Sequence, residues 1–206
     1  MTVRKRGASQ AGLAQRRVFV NVPYDEGYEQ NFLALIAALI SIGRIPRCAV
    51  EEPVLGRNRM VRIFKLIKSC EVSIHDLCRV TLPPRFNIPF ELGIAFALWR
   101  LHGHKFIVLE SKRYRLDINL SDLKGVDPVI HGNSPRRVVS CVLSELGSTG
   151  GAPDIEAVME VFKHLRQIAP KLVRGHRRSS VFYRPIFNAL VAAATEQAVA
   201  RGLIKP

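Results

Sequence analysis

The chain predicts a doubly wound α/β domain followed by a C-terminal helical appendage, and three features carry that expectation. Short β-branched runs alternate with longer helical stretches, polar loops follow the strand segments, and a Gly/Ser-rich break at Gly147-Ser148-Thr149-Gly150-Gly151 precedes two further helical segments. The 206 residues, 48% of them hydrophobic, suit a core domain of about 130–150 residues plus an appendage. The chain divides into a basic flexible tail over residues 1–16, an α/β domain over 17–146 and a helical segment over 152–206.

Each element has its own signal. Arg17–Asn21 is a first strand, ending in a loop over 22–27 before a helix over about 28–42, rich in Leu, Ile and Ala and stopped by Gly43. A second strand over 45–50 is interrupted by Pro46. After a polar loop, Asn58 is placed to cap a helix over 59–70, with Ile63, Leu66 and Ile67 inward and Arg59, Arg62, Lys65 and Lys68 outward. The third strand, over 71–77, ends at a carboxylate, and a loop containing Pro83-Pro84 leads into the next helix. There Pro89 fits an early helical position, Glu91 falls in the first turn, and the run from Leu92 to Trp99 is apolar around most of the circumference, which predicts a helix buried on nearly all sides. Lys105–Glu110 is a fourth strand. A polar segment, a short turn over 120–125 and a fifth strand over 128–131 follow, then a helix opened by Ser134-Pro135 and running to about Leu146. Two helices, over about 154–168 and 181–200, joined by a basic stretch over 171–178, are expected to finish the core.

Charge is lopsided, with 31 Lys+Arg against 17 Asp+Glu. Residues 1–17 hold five basic residues and no acid, and the chain from Gly150 holds nine basic and four acidic, so the excess lies mostly at the two ends. Such charge allows contact with nucleic acid, nucleotides or anionic surfaces through counterion release, and equally describes a solvated basic face. No nucleic-acid motif supports the first option, since Lys112-Arg113-Tyr114-Arg115 offers a single aromatic ring. Four scattered cysteines, Cys48, Cys70, Cys78 and Cys141, form no CxxC and no Cys/His ligand spacing, so they read as reduced thiols with no metal site or disulfide framework. No apolar run approaches the roughly 18 residues of a membrane span, and the expected location is cytoplasmic. Gly56 stands alone, without a phosphate-binding fingerprint.

In open parallel sheets ligands bind outside the carboxyl ends of the strands. The candidate polar residues fall there: Asn21, Tyr24 and Asp25 after the first strand, Glu51 and Glu52 after the second, His75 and Asp76 at the end of the third, and Asn87 and Glu91 opening the helix beyond it. A carboxylate at a helix N-terminus is held ionised by free N–H groups and can offer its oxygens to an electron-poor carbon, or it can simply complement the dipole. His75 could tune Asp76 or donate to a phosphate, or be a core residue with satisfied nitrogens. Glu51 and Glu52 read as a solvated loop, and Arg57, Arg59 and Arg62 either reach a phosphate or form an exposed basic face.

Three pieces, Val18-Phe19-Val20-Asn21 with Pro23-Tyr24-Asp25, Ser73-Ile74-His75-Asp76-Leu77, and Asn87-Ile88-Pro89-Phe90-Glu91-Leu92-Gly93-Ile94-Ala95, together resemble the Toll/interleukin-1 receptor-like (TIR-like) proteins of bacteria and the nucleoside 2-deoxyribosyltransferase family. The resemblance covers about residues 17–131 and implies a flavodoxin-like sheet of about five strands. It implies that Glu91 is the catalytic carboxylate at an N-glycosidic bond and that Asp76 helps hold the sugar. Tyr24 and Asn21 would lie near the base or nicotinamide, and Asp25, His75 and Asn87 would complete the substrate-binding set. The implied activity is hydrolysis of NAD or a related nucleotide in a bacterial stress or phage-defence role, with NAD as substrate and no cofactor, in a chain that self-associates. Deoxynucleoside base exchange, or a non-catalytic nucleotide-sensing module, are the alternatives. The chain departs from the pattern in His75, in lacking the serine-rich first loop of receptor domains, and in its basic two-helix appendage.

Overall fold

The structure, a computed structural model, describes residues 16–52, 58–79, 86–115, 125–147 and 151–205. Residues 1–15 of the expected 1–16 tail, Gly56 and Arg57, Pro83-Pro84, residues 120–124 of the expected turn over 120–125, and Ser148-Thr149-Gly150 lie outside the described residues. Strands β1 (Arg17–Asn21), β2 (Ile45–Cys48), β3 (Val72–Asp76), β4 (Lys105–Glu110) and β5 (Val129–Ile130) form one all-parallel sheet in the order β2-β1-β3-β4-β5. This is the flavodoxin-like doubly wound arrangement. The chain leaves β1 toward one face of the sheet and β3 toward the other, so a crevice opens between their carboxyl ends.

Helices α1 (Glu29–Ser41) and α4 (Pro135–Leu146) cover one face, and α2 (Arg59–Lys68) and α3 (Asn87–His102) cover the other. Strands covered on both sides need apolar residues in both alternating positions, which is why β1 reads Val18-Phe19-Val20 without interruption. Val18, Val20, Val72 and Ile74 pack toward α1, while Phe19 packs with Ile63, Ile67 and Ala95 of the opposite layer.

The C-terminal helices α5 (Ile155–Gly175) and α6 (Arg184–Ala200) pack on α1. One apolar cluster extends from Val18 in the sheet through Phe162 and Leu165 of α5 to Leu190 and Ala198 of α6. With the sheet on one side and α4, α5 and α6 on the others, every residue of α1 from Asn31 to Ser41 is buried. The appendage therefore completes a shared core.

Several boundaries move for physical reasons. Helix α5 continues past the expected end at 168, through Pro170 to Gly175. Pro170 lies on the exposed side, where the carbonyl deprived of its N–H partner faces water. Asn58 adopts a left-handed conformation, φ 75°, and its side chain makes no cap bond. Ser134 does cap α4, accepting from the Arg137 N–H.

The largest correction concerns α3. It begins at Asn87, so Pro89 is its third residue and Glu91 its fifth, in the second turn. Nor is the helix enclosed all round: Ile88, Glu91, Leu92, Ala95 and Leu98 form one buried stripe, while Phe90, Phe96, Trp99 and Leu101 are exposed. Among the described residues no helix is long and apolar enough to cross a membrane.

Candidate active site

Asn21 and His75 are register partners at the carboxyl ends of β1 and β3, on the face that meets α3. The Asn21 amide donates to His75 Nδ1 at 2.9 Å and to the Ile88 carbonyl at 3.1 Å, tying both strands to the first turn of α3. With Nδ1 accepting, the His75 proton sits on Nε2, which donates to Ser73 Oγ at 2.8 Å. Ser73 in turn donates to His104 Nε2 at 3.0 Å, and His104 Nδ1 donates to the Cys70 carbonyl at 3.1 Å. The result is a directed chain of hydrogen bonds beneath α3. Burial, with His104 adding to it, pushes the His75 pKa down to about 3, and burial also lowers that of His104, so both rings are neutral.

Glu91 projects from the buried stripe of α3 and is only 4% exposed. Its Oε2 is buried without a hydrogen-bond partner. Burial raises its pKa from 4.5 to about 7, against the opposing pull of Arg59 and a hydrogen bond from the Asn87 side chain. The expectation that a helix N-terminus keeps this group fully ionised gives way here, because one turn further into the helix the free N–H groups are out of reach and desolvation dominates.

Tyr24 lies on the β2 side of this carboxylate. Its hydroxyl accepts from the Ala49 N–H at 3.1 Å, and burial first, then Cys48 and Glu91, raises its pKa well above 10.0. Arg59 opens α2 and donates to the Glu52 carbonyl at 3.0 Å. Tyr24 and Arg59 also line a cavity of about 360 Å³, together with Glu51, Glu52, Phe182, Tyr183 and Arg184. That volume falls in the range of small-molecule sites. Glu91 is absent from its wall and stands next to Tyr24 and Arg59.

Asp76 is placed elsewhere. Its side chain points to the α1 face, is 0% exposed, accepts from Tyr28 Oη and from the Cys78 N–H at 2.9 Å, and lies 3.0 Å from His131 Nε2. The Asn133 N–H donates to His131 Nδ1, which leaves the ring proton on Nε2, facing Asp76. Burial alone would raise the Asp76 pKa, but the His131, Tyr28 and Cys78 donors together lower it. The sheet therefore separates Asp76 from Glu91, and the expected pairing of the two over one sugar is absent from this arrangement. The cause is strand alternation, which sends His75 and Asp76 to opposite faces.

Asp25 starts the short 3₁₀ turn Glu26–Tyr28 and pairs with Arg79 at 3.3 Å, joining the segments that follow β1 and β3. Asn87 is solvent-exposed, one turn before Glu91. Glu51 and Glu52 are structural: Glu51 grips Arg47 with both oxygens and accepts from the Cys48 N–H at 2.8 Å, and Glu52 pairs with Arg62 at 3.2 Å. The structure thus gathers Asn21, Tyr24, His75, Asn87 and Glu91 on one side of the crevice and leaves Asp76 on the other. Sequence reasoning missed Ser73, His104, Tyr28, His131 and the aromatic contribution of Phe182. Only Ser73 carried a signal, two residues before His75 on the same strand face.

Among the described residues no group of three or more His, Cys, Asp or Glu side chains is arranged to hold a metal ion. The fold and these side chains define a flavodoxin-like α/β protein with a buried glutamate beside its switch-point crevice. Comparison with protein-family models, curated proteins and solved structures finds no match for this chain.

Proposed function

We propose that the chain cleaves the N-glycosidic bond of NAD or a related nucleotide, with Glu91 as the carboxylate that faces the anomeric carbon. The observation that carries this reading is a buried glutamate at the carboxyl edge of a parallel sheet with one oxygen unpartnered and a pKa of about 7. Departure of nicotinamide builds positive charge on the ribose carbon, and a fixed carboxylate in a poorly hydrated site stabilises or traps that centre. The resemblance of residues 87–95 to the TIR-like motif supports the same assignment and suggests the stress or defence setting.

In this reading Tyr24 and Arg59 stand between the 360 Å³ cavity and Glu91, with the ring against the base and the guanidinium toward a phosphate. Entry of substrate displaces the Tyr24 ring and exposes Glu91. Asn21 and His75 act through α3, by fixing its first turn, and Asp76 acts through Tyr28 on the segment that follows β1.

Incubating the purified chain with NAD and a panel of nucleosides, with analysis of products, tests the proposal. Release of nicotinamide supports hydrolysis; consumption of an added base supports deoxynucleoside exchange. A second reading, a non-catalytic nucleotide-sensing or self-assembling module, is favoured by the near-complete enclosure of Glu91. Nucleotide binding or self-association with no turnover of any of these compounds would establish it instead.

A further inference from the structure

The two faces of the sheet are finished differently. The α1 face carries a second layer, α5 and α6, whereas among the described residues no helix forms a comparable layer outside α2 and α3. Of the nine large apolar side chains exposed among the described residues, eight belong to this single layer: Met60, Val61 and Phe64 on α2, and Phe86, Phe90, Phe96, Trp99 and Leu101 on or beside α3. Phe86 is 78% exposed and Leu101 74%.

At about 150–250 Å² for a whole aromatic side chain, the exposed parts of these eight residues present on the order of 1,000 Å² of apolar surface. The largest patch on an ordinary monomer is about 300–600 Å², and each partner of a stable dimer buries about 800 Å². The face therefore exceeds what a monomer leaves bare and is the size that a pair requires.

We infer that α2 and α3 form the interface of a homodimer in which the α3 helices of two copies cross antiparallel. The charge layout selects both the partner and the direction. The exposed ionisable groups of the two helices are Lys65, Lys68, Arg100 and His102, all near their C-terminal ends. Along α3 no exposed charge stands between Asn87 and Trp99, so the middle of that helix offers nothing to an acidic partner or an anionic lipid surface. A parallel pair would bring the two basic ends together; an antiparallel pair sets them about 20 Å apart, beyond the screening length at physiological salt. Antiparallel crossing also places Gly93 of each copy against Ala97 of the other, and Phe90 against Leu101. Helix α3 is the one that carries Asn87 and Glu91, so the same contact braces the segment on which the candidate carboxylate sits. The inference stands independently of the catalytic reading.

Light scattering of the full chain over about a hundredfold range of concentration tests it. The expected result is a doubled mass that Phe90→Asp or Leu101→Asp each reduces to the monomer, with the far-ultraviolet circular dichroism spectrum unchanged because both side chains are exposed, and a lower melting temperature because the native state loses its partner. Mixing the Phe90→Asp chain with a Leu101→Lys chain restores the doubled mass, since the two substituted positions meet across the antiparallel pair. A wild-type chain that stays monomeric, a Phe90→Asp chain that pairs as tightly as wild type, a mixture that fails to reassociate, or a monomer that adheres to anionic vesicles without pairing would each overturn the inference.

Discussion

Burial sets Glu91 against the stability of the fold. Its pKa rises from 4.5 to about 7 on folding, so between those values the native chain holds more protons than the unfolded one, and stability falls as pH rises across that window. Glu91→Gln is expected to gain about 2–3 kcal/mol at slightly alkaline pH, with the gain vanishing below the ordinary carboxylate pKa; urea unfolding at two pH values checks this. Asp76 behaves in the opposite sense. Its lowered pKa contributes stability at neutral pH that is lost as pH falls through the carboxylate range. Asp76→Asn turns an amide against the Tyr28 and His131 donors and should cost about 2–4 kcal/mol in the same measurement. The place of Glu91 at the sheet edge was legible in Pro89-Phe90-Glu91-Leu92-Gly93. Its burial was not, because a helix apolar on every side has no amphipathic stripe to say which face meets the sheet.

Two elements, β3 and α3, are held together by the chain Asn21, His75, Ser73 and His104. Ser73 is its middle link. Ser73→Ala leaves a nitrogen of each imidazole without a partner inside the protein and should cost about 2–3 kcal/mol, read as a lower urea midpoint at unchanged slope. The pKa values of His75 and His104 are lowered by folding, so the unfolded chain takes up protons more readily at these rings, and their contribution to stability is lost as pH falls below 6.5. Period-two alternation made the shared face of Ser73 and His75 readable in advance. His104 precedes its strand and joins the chain only through the β3–β4 pairing, which no local pattern encodes.

At the scale of the molecule, α1 is the helix enclosed on all sides, and its enclosure depends on residues more than a hundred positions away in the chain. Removing residues 151–206 would strip Phe162, Leu165, Phe187 and Leu190 from the core. The truncated chain should aggregate or lose its cooperative melt, and an equally stable fragment would show that the appendage serves a partner instead. The five strands were legible as β-branched runs between turn residues, and the parallel order followed from the alternation with helices. The joint core was expected of the two C-terminal helices and is found, although the Gly/Ser break at 147–151 by itself resembles a linker whether or not the helices beyond it fold back. The claim that joins these scales is that Glu91 works at a glycosidic carbon, and nicotinamide release from NAD followed across pH for the wild-type and Glu91→Gln chains tests it most directly. The account predicts wild-type turnover that climbs through about pH 7 as the carboxyl group ionises and disappears in the Gln variant; undiminished release by the Gln variant, or no release by the wild type at any pH, would contradict it.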